Sequence, residues 1–180
     1  KWVIENEFYI ELTIKKKKAY KPQCIISEKS TCCYLSGSKG VVETFNEELK
    51  NFKLKNKIDI QTTGCLGFCE IEPIVIIQPK DIVYQKVKKE DVIEIVTETL
   101  LNDIIIERLL YVDPVTKKKC KTEEGMPFYK KQQRIVLGNN RKIDPNSIED
   151  YIAIGGYSSL AKALYNMEPE KVIDKIKKAG

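Results

Sequence analysis

Apolar and polar side chains alternate along several short segments of the chain, and this pattern predicts β-strands. The alternation runs through residues 8–14 and returns at residues 58–61. Residues 73–77 are apolar throughout, which is typical of a central strand covered on both faces. A turn at residues 79–81 separates this run from residues 82–87, so we expect the two segments to form a hairpin.

Two longer segments repeat apolar residues at helical spacing. Residues 38–54 and 90–101 each have apolar side chains on one side and charged side chains on the other, as amphipathic helices do. Ser38 is the expected N-cap of the first helix. Residues 104–112 show a mixed pattern, and we expect them to be extended. Strands that alternate with helices in this way predict an α/β fold.

The composition changes after Asp113. Residues 113–127 are polar and contain proline and glycine, so we expect a linker or a long loop there. Beyond it, the pattern predicts short helices over residues 144–154, 157–166 and 169–178. Their apolar stripes are narrow, and we therefore expect these helices to dock on another surface.

The overall composition is that of a chain with a core and a well-solvated surface, because 42% of its 180 residues are hydrophobic and 32% are charged. No run approaches the roughly 20 apolar residues that a membrane-spanning helix requires. Acidic residues interrupt the N-terminal segment, so it does not resemble a signal peptide. We expect a cytoplasmic location, with attachment to the periphery of a membrane complex as the alternative.

The net charge of +5 arises from residues 111–180, because basic and acidic side chains balance in the rest of the chain. Lysine runs at residues 15–18 and 117–119 raise the question of nucleic-acid binding. No aromatic residues interleave with these lysines, as a stacking surface for bases would require. We therefore expect solvated turns or a docking face, and no nucleic-acid partner.

The sequence contains no histidine. This excludes the commonest general base, the usual nitrogen ligand of zinc and any Rieske-type centre. It also excludes Ser–His and Cys–His nucleophiles within this chain. Its chemistry must therefore depend on cysteine, carboxylate, lysine or a bound group.

Four of the six cysteines form a pattern that predicts a metal centre. Cys24 and Cys33 lie in the segment 20–37, which we expect to be irregular, and Cys65 and Cys69 lie in the loop before the apolar run. In a compact sheet, these two loops can meet at one end. Four thiolates that converge on a site shielded from water are what an iron–sulfur cluster requires.

Glycines near these cysteines allow the backbone to approach the sulfur atoms closely. Gly64 and Gly67 are placed so that backbone N–H groups can reach the sulfurs, and Gly37 is a third candidate. Such hydrogen bonds would stabilise the more negative, reduced state of a cluster and raise its reduction potential.

Three other uses of the cysteines compete with this hypothesis. Disulfides need an oxidising compartment, and the chain has no export signal and is long enough to fold without them. A structural zinc site favours paired C-x₂₋₄-C knuckles, which the spacing of the first two cysteines does not match. Buried free cysteine is the default interpretation for Cys120 and also for Cys32.

The residues around the cysteines resemble the thioredoxin-like [2Fe–2S] ferredoxins, a module that also forms the 24-kDa-type subunit of respiratory NADH dehydrogenase. The resemblance covers residues 20–112 and is carried by Cys24 and the segments 33–45, 63–69, 73–76 and 91–96. It implies a thioredoxin-like α/β fold with a mixed sheet of about four strands and two packed helices. It also implies one [2Fe–2S] cluster bound by Cys24, Cys33, Cys65 and Cys69, with Cys32 as the alternative to Cys33.

Glu72 departs from the pattern of that family, which usually has glycine before the proline at this position. A carboxylate there would lie close to an anionic cluster. If it is ionised, it disfavours reduction and lowers the midpoint potential.

A second resemblance covers the C-terminal part. Residues 126–180, through the segments 127–137, 143–145, 150–153 and 155–157, are similar to the start of the flavoprotein subunit of NADH dehydrogenases and of NAD(P)-reducing, often electron-bifurcating, hydrogenases. In those proteins the stretch that binds flavin and NADH follows, whereas this sequence ends at Gly180. We therefore expect a fragment of a longer protein, with FMN and NAD(H) bound only in the missing C-terminal part.

The expected organisation has four parts: an N-terminal extension (1–19), a ferredoxin domain (20–112), a linker (113–127) and the helical, incomplete start of a flavoprotein domain (128–180). The expected function is one-electron transfer as part of an NADH dehydrogenase or NAD(P)-reducing hydrogenase. Its partners would be the other subunits and their flavin and iron–sulfur centres, and we expect no complete catalytic site in this chain.

Two alternative functions compete with electron transfer. In the first, the module is free of a cluster or binds zinc, and serves as a structural docking domain of the same complex. In the second it is a thiol oxidoreductase, which the absence of a C-x-x-C motif disfavours.

Overall fold

The computed structural model describes residues 22–180. The chain divides into two compact units; residues 22–145 belong to one of them and residues 146–180 to the other. The strand expected at residues 8–14 lies outside the described residues. None of the helices in the described range has the length and apolar character that crossing a membrane would take.

A four-stranded mixed sheet organises the larger unit, as the sequence predicts. Its order is β2-β1-β3-β4, with β1 parallel to β2 and the other two pairings antiparallel. The strands are β1 (Gln23–Ser27), β2 (Asp59–Thr63), β3 (Val75–Gln78) and β4 (Ile82–Tyr84).

The register brings three chain segments to one edge of this sheet. Ser27 at the end of β1 lies opposite Thr63 at the end of β2. Ile26 lies opposite Val75, with which β3 begins. The segments that follow β1 and β2, and the one that leads into β3, therefore all open at the same edge.

Helices cover one face of the sheet. Helix α1 spans Thr31–Leu35, α2 spans Ser38–Asn51, and α3 spans Lys89–Glu94 and continues as a π-helix over Ile95–Leu101. Because side chains alternate along a strand, β1 directs Cys24 and Ile26 into this helix-covered core. The amphipathic stripe of α2 supplies its other side, with Val41, Phe45 and Leu49 all buried.

A second core lies on the opposite face. It contains Ile25 of β1 and Ile76 of β3, which alternate with the residues of the first core. Residues of the loop between β2 and β3 pack there, together with Tyr111, Cys120, Met126 and Tyr129. Residues that follow α3 along the chain therefore close this face of the sheet.

The segment expected to be a linker is part of this second layer. Strands β5 (Tyr111–Val112) and β6 (Lys119–Cys120) form a small hairpin, followed by a 3₁₀ helix at Glu123–Gly125 and by α4 at Pro127–Lys130. The compact unit thus continues past residue 112 and reaches Pro145.

Residues 20–37 differ from the sequence-based expectation of an irregular segment, because they contain β1 and α1. Strand β1 is short and has neither the alternation nor the length of a clear strand pattern. Ser30 caps α1, since its hydroxyl accepts a hydrogen bond from the Cys33 backbone N–H. Residues 104–112, expected to be extended, include a 3₁₀ helix at Glu107–Leu109.

The described part of the second unit consists of three short helices, as the sequence predicts. These are α5 (Ile148–Ala153), α6 (Ser158–Asn166) and α7 (Pro169–Ala179). The first begins at Ile148, after the expected proline, because Ser147 is the N-cap and its hydroxyl accepts from the Asp150 N–H. Proline in the first turn opens the last helix, as expected.

Candidate metal centre

The loop between β2 and β3 presents two cysteines at the edge where β1 and β2 end. Leu66, Phe68 and Ile71 of this loop are buried in the second core. Cys69, between Phe68 and Ile71, is exposed, and Cys65, just before Leu66, is partly exposed. The apolar residues anchor the loop on the sheet, and this anchoring leaves the cysteines directed away from the core.

Helix α1 brings a third sulfur next to this loop. The Sγ atom of Cys32 lies 3.8 Å from the Sγ atom of Cys69. Two sulfur ligands of one tetrahedral metal are separated by about 3.8 Å when the metal–sulfur bonds are about 2.3 Å long. These two cysteines, 37 residues apart in sequence, therefore already have the separation of a ligand pair.

Cys33 lies beside this pair but is buried. The Ser30 hydroxyl donates a hydrogen bond to Cys33 Sγ over 2.9 Å and lies 3.8 Å from Cys32 Sγ. Both sulfurs of α1 thus approach a single hydroxyl. Burial raises the pKa of the Cys33 thiol to about 12, opposed by the Ser30 hydrogen bond and reinforced by the nearby Glu72 carboxylate.

The contact between the two exposed thiols shifts their pKa values in opposite directions. The pKa of Cys32 is lowered, first by its hydrogen bond with Ser30 and then by that with Cys69. The pKa of Cys69 is raised to about 11 because its thiol donates to Cys32, with a further contribution from Cys65. Of the two, Cys32 is the thiol that ionises first, and the thiolate is the form that binds metal.

Gly67 provides the backbone contact that its position predicts. Its φ of +86° is in the left-handed region, and its N–H donates to Cys65 Sγ over 3.2 Å. Hydrogen bonds of this kind to a ligand sulfur stabilise added negative charge. Gly37, the N-cap of α2, also has a positive φ of +95°.

Gly64 makes a different close approach from the one expected at the sulfurs. A Cβ atom at this position would lie 2.9–3.1 Å from the side-chain amide of Asn140. Asn140 Nδ2 donates to the Cys65 carbonyl over 2.6 Å. No sequence pattern predicts this contact, because its two partners are 75 positions apart in the chain.

Cys24 is placed apart from the other predicted ligands. It lies within β1 opposite Ile60 and Ile77, is fully buried in the helix-covered core, and its pKa is raised to about 12 by burial. It precedes Ser27, at the sheet edge, by three positions, which is about 10 Å along a strand. The structure therefore does not bring Cys24 to Cys33, Cys65 and Cys69.

Glu72 lies beneath the cysteines, near the position that the sequence indicates. Its Oε2 atom accepts hydrogen bonds from the Ser27 hydroxyl and, over 3.0 Å, from the Ile74 N–H, and its Oε1 atom has no hydrogen-bond partner in the described part of the chain. Burial raises the pKa of this carboxyl, and its hydrogen bonds oppose that shift. Ser27, which no pattern in the sequence indicates, thus lies with Glu72 among the buried polar residues beneath the cysteines.

The donor set fits a thiophilic metal or an iron–sulfur cluster. The exposed or adjoining donors are sulfur atoms, and thiolates favour zinc, Cu(I) and iron–sulfur clusters over hard cations. Among residues 22–180, no three His, Cys, Asp or Glu side chains already have the geometry of a closed metal site. The site contains one sulfur pair at ligand separation, with the sulfurs of Cys33 and Cys65 beside it.

Cys120, in contrast, packs in the hydrophobic core. It is buried in the second core, and its thiol donates to the Gly125 carbonyl over 3.3 Å. Burial raises the pKa of its thiol. This placement agrees with the interpretation of Cys120 as a buried free cysteine.

The fold and the site define an α/β domain with a cysteine-rich centre at one edge of a mixed sheet. The family model of the thioredoxin-like [2Fe–2S] ferredoxins matches residues 6–100, and the chain belongs to this family. Electron transfer of the [2Fe–2S] ferredoxin type is therefore its functional class.

Curated relatives agree with this family. The ferredoxin "Ferredoxin, 2Fe-2S" of Clostridium pasteurianum is 39% identical over 77 residues, which are 43% of this chain and 76% of that protein. The NADP-reducing hydrogenase subunit HndC of Solidesulfovibrio fructosivorans is 53% identical over 51 residues, but these are 28% of this chain and 10% of HndC.

Among solved structures, a thioredoxin-like [2Fe–2S] ferredoxin from Aquifex aeolicus is similar to the chain. The two share 29% sequence identity at a TM-score of 0.46, and the match covers 51% of this chain and 90% of the ferredoxin.

Proposed function

We propose that this chain transfers single electrons through one [2Fe–2S] cluster bound at the edge of its sheet. The observation that carries the proposal is the approach of Cys32 Sγ to within 3.8 Å of Cys69 Sγ, at the end of the sheet where the Cys65 loop also lies. When bound, the cluster supplies a one-electron redox couple, and no bond in a substrate changes.

The ligands we propose are Cys32, Cys65 and Cys69, with Cys33 as the fourth. Both sulfurs of α1 approach the Ser30 hydroxyl, and the proximity of Cys65 raises the pKa of Cys69. Cys33 is buried and bonded to that hydroxyl but is adjacent to Cys32 in α1, whereas Cys24 would have to leave the interior of a strand that is paired on both sides. Of the ligands expected from the sequence, Cys33, Cys65 and Cys69 are kept, and Cys32 takes the place of Cys24.

The protein contributes ligands, backbone dipoles and exclusion of water. Gly67 directs its N–H at Cys65 Sγ, which favours the reduced state. The burial of Leu66 and Phe68 fixes the loop against the sheet, and so limits its movement between the two redox states. The exposed side of the site, at Cys32 and Cys69, is where a redox partner can approach.

The larger assembly that we propose is a multi-subunit NAD(P)-linked oxidoreductase of the hydrogenase type. The support for it is the 53% identity to a 51-residue part of HndC, and the resemblance of residues 127–157 to the start of a flavoprotein subunit. In such an assembly, electrons would pass between the cluster and a flavin or a neighbouring iron–sulfur centre. Membership of an NADH dehydrogenase is the alternative.

Metal and sulfide analysis tests the proposed function. Protein purified anaerobically, or reconstituted with iron and sulfide, should contain two iron and two acid-labile sulfide atoms per chain and give an electron-resonance signal after reduction with dithionite. Zinc in place of iron, with no labile sulfide, would instead support the zinc-bound docking domain. A two-electron couple with dithiol turnover would support the thiol oxidoreductase.

A further inference from the structure

We propose that residues 123–143 form a built-in cover of the cysteine loop, and that Asn140 is a positioning residue for Cys65. The proposal rests on the proposed function in so far as the loop binds a cluster. The cover lies beyond residues 6–100, which the family model matches. It belongs to the same compact unit as the loop.

The first contact of the cover is with the backbone of the loop. Asn140 Nδ2 donates to the Cys65 carbonyl over 2.6 Å, and the same amide packs against Gly64, where there is no room for a Cβ atom. Leu137 of the cover lies 3.6 Å from the place where a Cβ of Gly67 would be. The cover therefore packs against Gly64 and lies close to Gly67.

The second contact is aromatic. The ring of Phe68, in the middle of the loop, stacks on that of Phe128 with 3.9 Å between centroids. Tyr129 packs against Phe68 edge-on at 5.9 Å. Aromatic contacts of this kind stabilise the packing beyond the burial of the rings alone. They hold the loop between its two cysteines.

The third set of contacts anchors the cover itself. The Arg141 backbone N–H donates to Thr63 Oγ1 over 2.7 Å, next to the end of β2. Its guanidinium pairs with the buried carboxylate of Glu123 over 2.6 Å and with Asp81. Arg134 pairs with the same Glu123 and lies over the Tyr129 ring at 4.8 Å.

These three sets of contacts make the position of the Cys65 sulfur depend on the cover. Asn140 holds the carbonyl of the Cys65–Leu66 peptide, and the next peptide along the chain, Leu66–Gly67, carries the N–H that points at Cys65 Sγ. Loss of the Asn140 amide would loosen this N–H···S contact. The reduced cluster would then be less well stabilised, and the reduction potential would fall.

Variants at position 140 test this role, with Asn139 as the matched control. Asn140→Ala removes the side-chain amide, and Asn140→Asp keeps the shape but replaces the donor with a carboxylate that repels the Cys65 carbonyl. Asn139 is exposed and adjacent, so Asn139→Ala alters the same segment without touching the loop. The measurements are the midpoint potential, the rate of cluster release, and hydrogen exchange of the Gly67 amide.

The expected result is a lower midpoint potential in both Asn140 variants, more so in Asn140→Asp. We also expect cluster release about fivefold faster in Asn140→Ala, as the loss of one ordinary hydrogen bond implies. Asn139→Ala should match the wild type. Faster exchange of the Gly67 amide should appear in the Asn140 variants even in protein stripped of metal.

Failure of the inference is distinguishable from failure of the proposed function. If the wild type holds a cluster and the Asn140 variants keep its potential, release rate and Gly67 exchange, the cover has no positioning role. If the wild type holds no cluster, the exchange measurement on the apoprotein still decides whether Asn140 restrains the loop. Unchanged exchange there also overturns the inference.

Discussion

The hydroxyl of Ser27 donates a hydrogen bond to the carboxylate of Glu72, and the two side chains are buried together beneath the cysteines. They join the end of β1 to the residue that precedes Pro73, across the edge where the sulfurs lie. Within residues 22–180, the second oxygen of Glu72 has no hydrogen-bond partner. A buried carboxyl whose pKa is raised therefore lies beneath the cysteines, and it bears on both redox chemistry and stability.

Neutralising Glu72 should raise the midpoint potential of the cluster. An ionised carboxylate next to an anionic cluster opposes the addition of an electron, and Gln or Gly at this position removes that charge. Glu72→Gln is the cleaner variant because it keeps the shape and one carbonyl acceptor for Ser27. A redox titration above the raised pKa of the carboxyl checks this, and an equal midpoint in wild type and variant would contradict it.

The stability of the cluster-free protein should depend on pH through the same Glu72 carboxyl. Burial raises the pKa of Glu72 in the folded protein, so the protonated form favours folding. This contribution is fully present below the pKa of an unfolded glutamate and is lost as the pH rises through the raised pKa. Denaturant unfolding over that interval should show a fall in stability that Glu72→Gln lacks; identical pH profiles would remove the carboxyl from this role.

Substitution of individual cysteines should distinguish the cluster ligands from Cys24, which lies in the core. Cys69→Ala removes one sulfur of the 3.8 Å pair and should abolish binding of iron and sulfide. Cys24→Ala should retain two iron atoms per chain and lower stability by about 1 kcal/mol, the order expected for a small cavity. Iron and labile sulfide per chain are the measurements, and loss of the cluster in Cys24→Ala would return Cys24 to the ligand set.

Alkylation of the apoprotein should follow the exposure and pKa of the thiols. Cys32 is exposed and its pKa is lowered by Ser30 and Cys69, whereas burial raises that of Cys33 to about 12. With iodoacetamide, Cys32 should react first and at a lower pH than an ordinary thiol. Peptide mass spectrometry over a pH series gives the order, and faster modification of Cys33 would contradict the placement of α1.

Replacing Phe45 by alanine should destabilise the helix-covered core strongly, whereas replacing Phe52 should have a much smaller effect. Phe45 is fully buried in α2, and its replacement by alanine should cost about 3–5 kcal/mol of the free energy of unfolding. Phe52, just after the same helix, is 37% exposed and serves as the matched control, with a cost expected to be several times smaller. Equilibrium unfolding in denaturant measures both; similar losses would show that the helix does not pack as described.

The sequence determined the elements whose patterns are local. The apolar stripe over residues 38–54 predicts α2, and the continuous apolar run before Pro79 predicts a central strand, because burial of one face or of both leaves a direct trace in residue order. It also determined the Cys65–Cys69 loop, whose cysteines and glycines lie within a few positions of each other. The α/β class and the family follow from these features.

Only the tertiary structure decided which cysteines meet. In sequence, Cys24 and Cys33 are equivalent candidates, yet the pairing of β1 on both sides puts Cys24 in the core, while α1 carries Cys32 to the loop of Cys69. The hydrogen bond from Asn140 to the Cys65 carbonyl likewise could not be predicted from the sequence. Strand register and long-range packing are set by the whole sheet, so no local pattern of residues records which distant side chains they bring together.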